Sequence, residues 1–210
     1  MPVAGGKQGT ALTWCRNIPI AKRPNLPEPP LPLFFPHTGT ASMLLAASHT
    51  QSLAAGATLI IVSTGFPQLL TGSAQLSTTG NVSGFVIFRH NNQEAVVPLE
   101  SRNAGAYVLA FDNTKGTATG VAVNSVSTGQ VNIPVVVRDE SGTQIAADVI
   151  TMAPNGHYAF TLGSDRYQAA ATIRGTIEFD KPPNAQIGAL GIRIPTGAAH
   201  TFTTLPALAK

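Results

Sequence analysis

Stretches in which apolar and polar residues alternate constrain this chain more than any other feature. In residues 131–138 the odd positions are all Val or Ile, whereas the even positions include Asn, Pro and Arg. Residues 157–162 and 173–180 alternate in the same way. Because successive side chains of a β-strand point to opposite faces, each stretch is a strand with one face suited to a core. Turn-forming clusters at 139–142 and 153–156 separate these strands.

The pattern predicts strands along most of the chain after residue 56, spaced about ten residues apart. The predicted strands are 57–63, 70–77, 82–90, 94–100, 106–111, 118–125, 131–138, 144–151, 157–162, 173–180, 186–194 and 201–206. No amphipathic helix interrupts them, so the prediction is an all-β, antiparallel sandwich or barrel. Pro134 has no N–H to donate, so its strand should be an edge strand or contain a bulge.

The N-terminal region has a different composition. Eight of the 16 prolines lie in residues 1–36. Proline fixes φ and removes a donor, so residues 24–36 cannot form a helix or a central strand. The same prolines interrupt the apolar segment that a signal peptide requires. We therefore predict that residues 1–50 are an irregular or mis-started Pro-rich arm, with any export signal further upstream.

An internal repeat divides the rest of the chain. The segment from Gly84 to Arg89 matches that from Gly188 to Arg193, and 97–99 matches 205–207 further along. Two further matches precede these in the same order: 56–61 with 155–160, and 71–76 with 174–179. The repeat is about 105 residues long, the size of one immunoglobulin-like module. It predicts a complete module at 101–210, preceded at 51–100 by the second half of another. Gly84 and Gly188 occupy equivalent places in the two copies, as do Arg89 and Arg193. This equivalence favours structural roles for all four residues.

Several segments carry a family resemblance: 84–89, 94–100, 111–114, 120–124, 156–157, 174–179 and 190–193. With this spacing, residues 50–208 resemble an uncharacterised family of tandem immunoglobulin-like β-sandwich modules in large exported proteins of soil bacteria. The resemblance implies secretion or display at the cell surface. It supplies no catalytic residues.

Composition and charge exclude several classes of partner. The chain has 210 residues, 13 of them Lys or Arg, and a net charge of +3. These basic residues form no cluster of the kind that binds a phosphate backbone, so we predict no nucleic-acid partner. No apolar run reaches the roughly 18 residues of a membrane-spanning helix, so we predict no membrane insertion. Cys15 is the one cysteine and cannot form an internal disulfide or a zinc site alone.

Motifs for catalysis or cofactor binding are absent from the sequence, including the serine-hydrolase elbow, the phosphate-binding loops and the zinc-protease pattern. The one candidate cation site is Asp112-Asn113-Thr114, which supplies oxygen donors ahead of a glycine. An Asx-type turn between two strands explains the same three residues more simply.

Paired carboxylates and exposed aromatic residues would indicate carbohydrate chemistry. Glu178 and Asp180 share one strand face with Arg174, which predicts a row of surface ion pairs and not a glycosidase pair. The strand pattern places Phe85 and Tyr158 on buried faces, which argues against a stacking platform for sugars. The same pattern places His157 outward, as a solvated or backbone-bonded residue.

We therefore predict a non-enzymatic structural, spacer or adhesive module of an exported bacterial protein, without a cofactor. Its partners would be neighbouring modules or further copies of itself. The half-module at 51–100 should either pack on the complete module or be completed by a partner strand, since unpaired edges are templates for strand addition. The alternative is an accessory domain of an exported hydrolase that binds glycan or calcium.

Overall fold

The described part of the chain is all-β. The structure, a computed structural model, describes residues 10–14, 35–36, 53–59, 72–90, 93–196 and 202–210. Its strands are β1 (Thr10–Trp14), β2 (Phe35–Pro36), β3 (Gly72–Leu76), β4 (Phe85–His90), β5 (Gln93–Pro98), β6 (Ala106–Asp112), β7 (Thr117–Ser125), β8 (Val131–Asp139), β9 (Gln144–Met152), β10 (His157–Leu162), β11 (Arg174–Asp180), β12 (Ile187–Pro195), β13 (Thr203–Pro206) and β14 (Leu208–Ala209). A short 3₁₀ turn at Gln168–Ala170 is the one helical element of these residues. The all-β, antiparallel fold class is confirmed.

The strands form two large antiparallel sheets and two small ones. The five-stranded sheet has the order β14-β6-β11-β8-β9, and the four-stranded sheet has the order β10-β7-β12-β13. A three-stranded sheet, β1-β3-β2, and the hairpin β4-β5 come from the earlier part of the chain. The prediction of an irregular arm therefore missed β1 and β2. The rest of that arm, 1–9, 15–34 and 37–50, lies outside the described residues, as does Cys15.

One apolar core lies between the two large sheets. Leu109 and Ile177 on the five-stranded sheet are fully buried and belong to the same cluster as Val121 and Val123 on β7. These residues occupy alternate positions along their strands, which is the period-two pattern of the sequence. Burying an aliphatic side chain of this size stabilises the fold by about 1.5–3 kcal/mol. The two sheets therefore form a sandwich.

The hairpin β4-β5 adds a third layer on the outer face of the four-stranded sheet. Leu190 points away from the core on β12, is buried, and packs in a second apolar cluster with Val97, Val86 and Leu99. The Thr204 hydroxyl donates a hydrogen bond of 2.8 Å to the carbonyl oxygen of Val96. The sequence leaves two arrangements open for residues 51–100, packing on the complete module or completion by a partner strand. Hairpin β4-β5 shows the first, because it packs on Leu190 of β12 and is hydrogen-bonded to Thr204 of β13.

The strands coincide with the repeated segments. Hairpin β4-β5 and hairpin β12-β13 begin at the two matched glycine segments and run through the matched Val-Pro and Leu-Pro sequences. The register differs by one residue, because Phe85 pairs with Pro98 whereas Leu190 pairs with Pro206. The existence of tandem copies remains a prediction.

The strand order departs from the immunoglobulin order at three positions. One is the fourth strand counted from β6, β9, which lies beside the third, β8, and not beside the fifth, β10. In an immunoglobulin domain the first strand lies beside the second and the seventh beside the sixth. Counting from β6, the first strand pairs here with the sixth, β11, and the seventh, β12, pairs with the second, β7. The terminal strands therefore exchange sheets relative to the immunoglobulin arrangement.

Pro134 lies on an interior strand, so of the two predicted alternatives the edge strand is wrong for β8 as a whole, whereas the strand does contain an irregularity of the bulge kind. The pairing of β8 with β11 begins at Val135, whereas its pairing with β9 extends back to Val131. A proline at 134 has no N–H for β11, and the ladder ends there. The register shift of this strand lies between Val137 and Arg138, three residues beyond the proline.

Candidate functional surface

A close approach of two strands explains Gly188. A Cβ atom at this position would lie 2.7 Å from Oδ1 of Asn124 and 3.7 Å from Cγ of Glu100. Asn124 is fully buried on the outer face of the four-stranded sheet, and neither atom of its amide has a hydrogen-bond partner. On the neighbouring strand β10 the residue opposite Asn124 is His157, which is 8% exposed. His157 therefore faces away from the core, as predicted, but of the two alternatives, solvated or backbone-bonded, the solvated one is wrong because this outer face is covered.

Beside Gly188, Arg102 ties two chain segments together. Its Nε donates to both carboxylate oxygens of Glu100 at 3.1 Å, and Nη2 donates to the carbonyl oxygen of Ala207 at 3.0 Å. The hydrogen bond that Arg102 donates to Glu100 raises the pKa of Arg102. A cavity of about 30 Å³ is lined by these groups together with Pro206 and Gly188. That volume holds about one water molecule and is far smaller than a typical ligand pocket.

The three calcium candidates point to different partners. Asp112 Oδ1 accepts hydrogen bonds from the Thr114 amide at 2.9 Å and hydroxyl at 2.6 Å, and Oδ2 accepts one from Arg174 at 3.1 Å. These donors, those of Thr114 first, lower the pKa of Asp112 to about 2. Asn113 points inward, where its amide donates to the carbonyl oxygens of Leu162 and Ala170 at 3.0 Å. The geometry is that of an Asx turn, and the three side chains do not converge.

An Arg166 network closes one open side of the sandwich between β9 and β10. The guanidinium forms an ion pair with Asp148 and lies 5.4 Å from the ring centroid of Tyr158 and 5.3 Å from that of Tyr167. The hydrogen bond from Arg166 is the largest cause of the lowered pKa of Asp148. Phe160 extends this group into the core. Its ring contacts that of Tyr167 edge-on, with 5.7 Å between the ring centroids. Arg166 therefore links the edges of the two sheets.

The carboxylates of β11 are held structurally. Glu178 is 8% exposed and forms ion pairs with Arg138 at 3.1 Å and with Lys210. Its position outside the core agrees with the sequence prediction, but its partners come from β8 and from Lys210. Arg174 pairs instead with Asp112 on β6. These contacts join the strands of the five-stranded sheet across its outer face.

The outer face of hairpin β4-β5 is apolar and exposed. Phe85, Ile87 and Val96 are 63%, 43% and 47% exposed, and Pro98, paired with Phe85, is also exposed. We call these four residues the hairpin face. The prediction of a buried Phe85 is wrong, because only the opposite side of this hairpin packs on β12. Tyr158, also predicted to be buried, is 39% exposed at the sandwich edge.

Three structural candidates from the sequence remain: Arg89, Arg193 and Gly84. Arg89 lies on β4 opposite Glu94, and its side chain lies outside what the structure describes. Arg193 lies on β12 between Thr119 and Thr203, exposed to solvent. A Cβ at Gly84 would meet Leu99 Cδ1 at 3.3 Å, so this glycine permits close packing of the hairpin.

The described residues contain no group of three or more His, Cys, Asp or Glu side chains that could hold a metal ion. No helix in the same ranges is long and apolar enough to cross a membrane. Comparison of the chain with protein-family models, curated proteins and solved structures finds no match.

Proposed function

We propose that this chain is a non-enzymatic structural module of an exported bacterial protein, serving as a spacer or adhesive unit. The observation that supports it is the continuous core shared by both large sheets. A sandwich of this kind is a rigid unit, since its interior packs at crystal-like density. The hairpin layer on its outer face adds a contact surface to that unit.

The polar groups that the sequence raised as candidates for chemistry, and the Arg166 network that the structure adds to them, stabilise loops and strand edges. Asp112 holds a turn, Arg166 bridges the two sheets at one edge, and Glu178 joins neighbouring strands. Asp112, Asp148 and Glu178 each form an ion pair with an arginine. Such ion pairs occur in structural networks as well as at binding sites.

A glycan-binding accessory domain is the second candidate, and the exposure of Tyr158 favours it. A partly exposed tyrosine beside Arg166 and Asp148 provides one aromatic ring and two hydrogen-bonding groups for a sugar. However, the guanidinium already lies over this ring, and Phe160 lies 5.6 Å from it at a tilt. Little of the ring surface is left for stacking.

Glycan binding and calcium titration distinguish the two functions. The full chain is applied to a glycan array and, separately, its melting temperature is followed as calcium is added. A structural module gives no saturable binding and no calcium-dependent shift. Saturable glycan binding that Tyr158→Ala abolishes and Phe85→Ala preserves would overturn the proposal in favour of the accessory domain.

A further inference from the structure

Among the described strands, β4 has an edge without a partner. It pairs with β5 alone, through residues 85–90. Residues 80–88 contain no charged residue and no proline. Natural sheets protect their edges with charge, proline, bulges or very short strands. The strand carries one charge, Arg89, near its end, and the uncharged, apolar stretch before it, 85–88, is a template for another strand.

The edge strands of the two large sheets carry such protection. Strand β9 has Asp148 directed towards the open side, paired with Arg166, and Arg166 also covers Tyr158 on β10. Strand β13 has four residues and ends at Pro206, and β14 has only two residues. The contrast makes β4 the least protected edge of the described hairpin and large sheets.

The backbone groups that face this edge follow from the hairpin register. The amide of Leu99 donates to the carbonyl oxygen of Gly84 at 3.0 Å, so the backbone of Gly84 points towards β5. Backbone direction alternates along a strand, so Val86 also points towards β5, whereas Phe85 and Ile87 point to the open edge. On the other strand Val96 directs its carbonyl towards Thr204, as this alternation requires.

We propose that β4 pairs antiparallel with β4 of a second copy of this chain, about a two-fold axis at Val86. In this register Phe85 lies opposite Ile87 of the other copy, and the outward N–H and C=O groups of both residues are satisfied. The register also aligns the two hairpin faces into one apolar row. This inference rests on the proposed structural function and names the surface through which two modules join.

Self-complementarity identifies a second copy as the occupant. Arg89 is the one charged residue of β4, and in this register it lies opposite Ser83 of the other copy, so the pairing sets no like charges opposite each other and the net charge of +3 adds only weak repulsion. A two-fold interface closes on itself and yields a dimer, not a filament. Two short edges bury less than the roughly 1,200 Å² of a stable interface, so the dimer is weak and concentration-dependent.

Sedimentation velocity of the full chain from about 5 to about 500 µM tests the pairing, a range suited to a weak interface. Ile87→Pro removes an N–H that points to the open edge and leaves the β4–β5 hydrogen bonds in place. Phe85→Lys adds a protective charge to the same edge. The matched control is Val149→Lys, which places the same charge at an exposed valine of β9. Circular dichroism confirms folding of each variant.

We expect the wild type and Val149→Lys to shift from monomer to dimer as concentration rises. Phe85→Lys and Ile87→Pro are expected to raise the dissociation constant at least about tenfold. If Ile87→Pro does not fold, Phe85→Lys alone decides. A wild type that stays monomeric overturns the pairing, as does a dimer that the β4 variants leave unchanged. Neither result affects the glycan and calcium measurements on which the proposed function depends.

Discussion

Gly175→Ala is the substitution with the largest expected effect on the sandwich. Gly175 lies on β11 between Phe111 of β6 and Asp139 of β8. A Cβ atom here would lie 1.9 Å from the carbonyl oxygen of Arg138 and 2.9 Å from Cζ of Phe111. Since real Cβ atoms essentially never approach within 3.0 Å of a neighbour, β11 and β8 would have to separate by about 1 Å.

That displacement lengthens the neighbouring backbone hydrogen bonds beyond their normal range of about 2.7–3.2 Å. The loss of about two such bonds, at about 1 kcal/mol each, adds to an overpacking cost of about 1–3 kcal/mol. We therefore expect Gly175→Ala to lower the free energy of unfolding by about 3–5 kcal/mol. With a urea dependence of about 2 kcal/mol/M, the unfolding midpoint falls by about 1.5–2.5 M.

Gly129→Ala is the matched control in the same urea titration. No atom lies within 4 Å of a Cβ at Gly129, and its φ is not in the left-handed region. Alanine there should be neutral or should stabilise by up to about 1 kcal/mol, because it restricts the unfolded chain. If the free energies of unfolding of the two variants differ by less than about 0.5 kcal/mol, β11 does not lie against β8 in this register.

Three further substitutions test the outer layer, the acid response and the sandwich edge. Leu190→Ala should lower the free energy of unfolding by about 2–4 kcal/mol in a urea titration. Its control, Leu208→Ala at a residue that is 64% exposed, should change that free energy by less than about 0.5 kcal/mol. Equal effects of the two substitutions would contradict the packing of the hairpin on β12. The folded-state pKa of Asp112, about 2, lies below its ordinary value of 3.8, so its stabilisation is present above pH 3.8 and is lost as pH falls towards 2. Asp112→Asn should therefore flatten the loss of stability across that range in an acid titration, and an unchanged profile would refute the role of this carboxylate. Arg166→Ala should cost about 1–2 kcal/mol and change the near-ultraviolet circular dichroism of the tyrosines, whereas a wild-type spectrum would show that the guanidinium does not hold these rings.

Alternation predicted most of the strands because burial of one face leaves a direct trace in the sequence. Residues 131–138 and 157–162 lie within or coincide with β8 and β10, and their inward positions are largely those expected. The predicted strand 57–63 differs: residues 57–59 are not in a strand, and 60–63 lie outside the described residues.

Alternation does not reveal whether the second face of a strand is covered. The exposure of Phe85 and of His157 was mispredicted for this reason: Phe85 lies on the open side of a hairpin, whereas His157 faces outward as predicted but is buried there. Strand β1 was missed because its pairing with β3 joins residues about 60 positions apart, and no local pattern encodes such a contact. Asn124 was likewise missed, since its burial depends on the glycine opposite.

Residue-resolved amide hydrogen exchange at low and high protein concentration tests the central claim most directly. On β7, which has a neighbour on both sides, consecutive amides such as Val121 and Ala122 should be protected at every concentration. On β4 the protection should alternate at low concentration, with Val86 slow and Ile87 fast. At high concentration Ile87 should become slow as well. Alternating protection on β7, or an Ile87 amide that exchanges equally fast at both concentrations, would contradict a layered sandwich whose open β4 edge joins two copies.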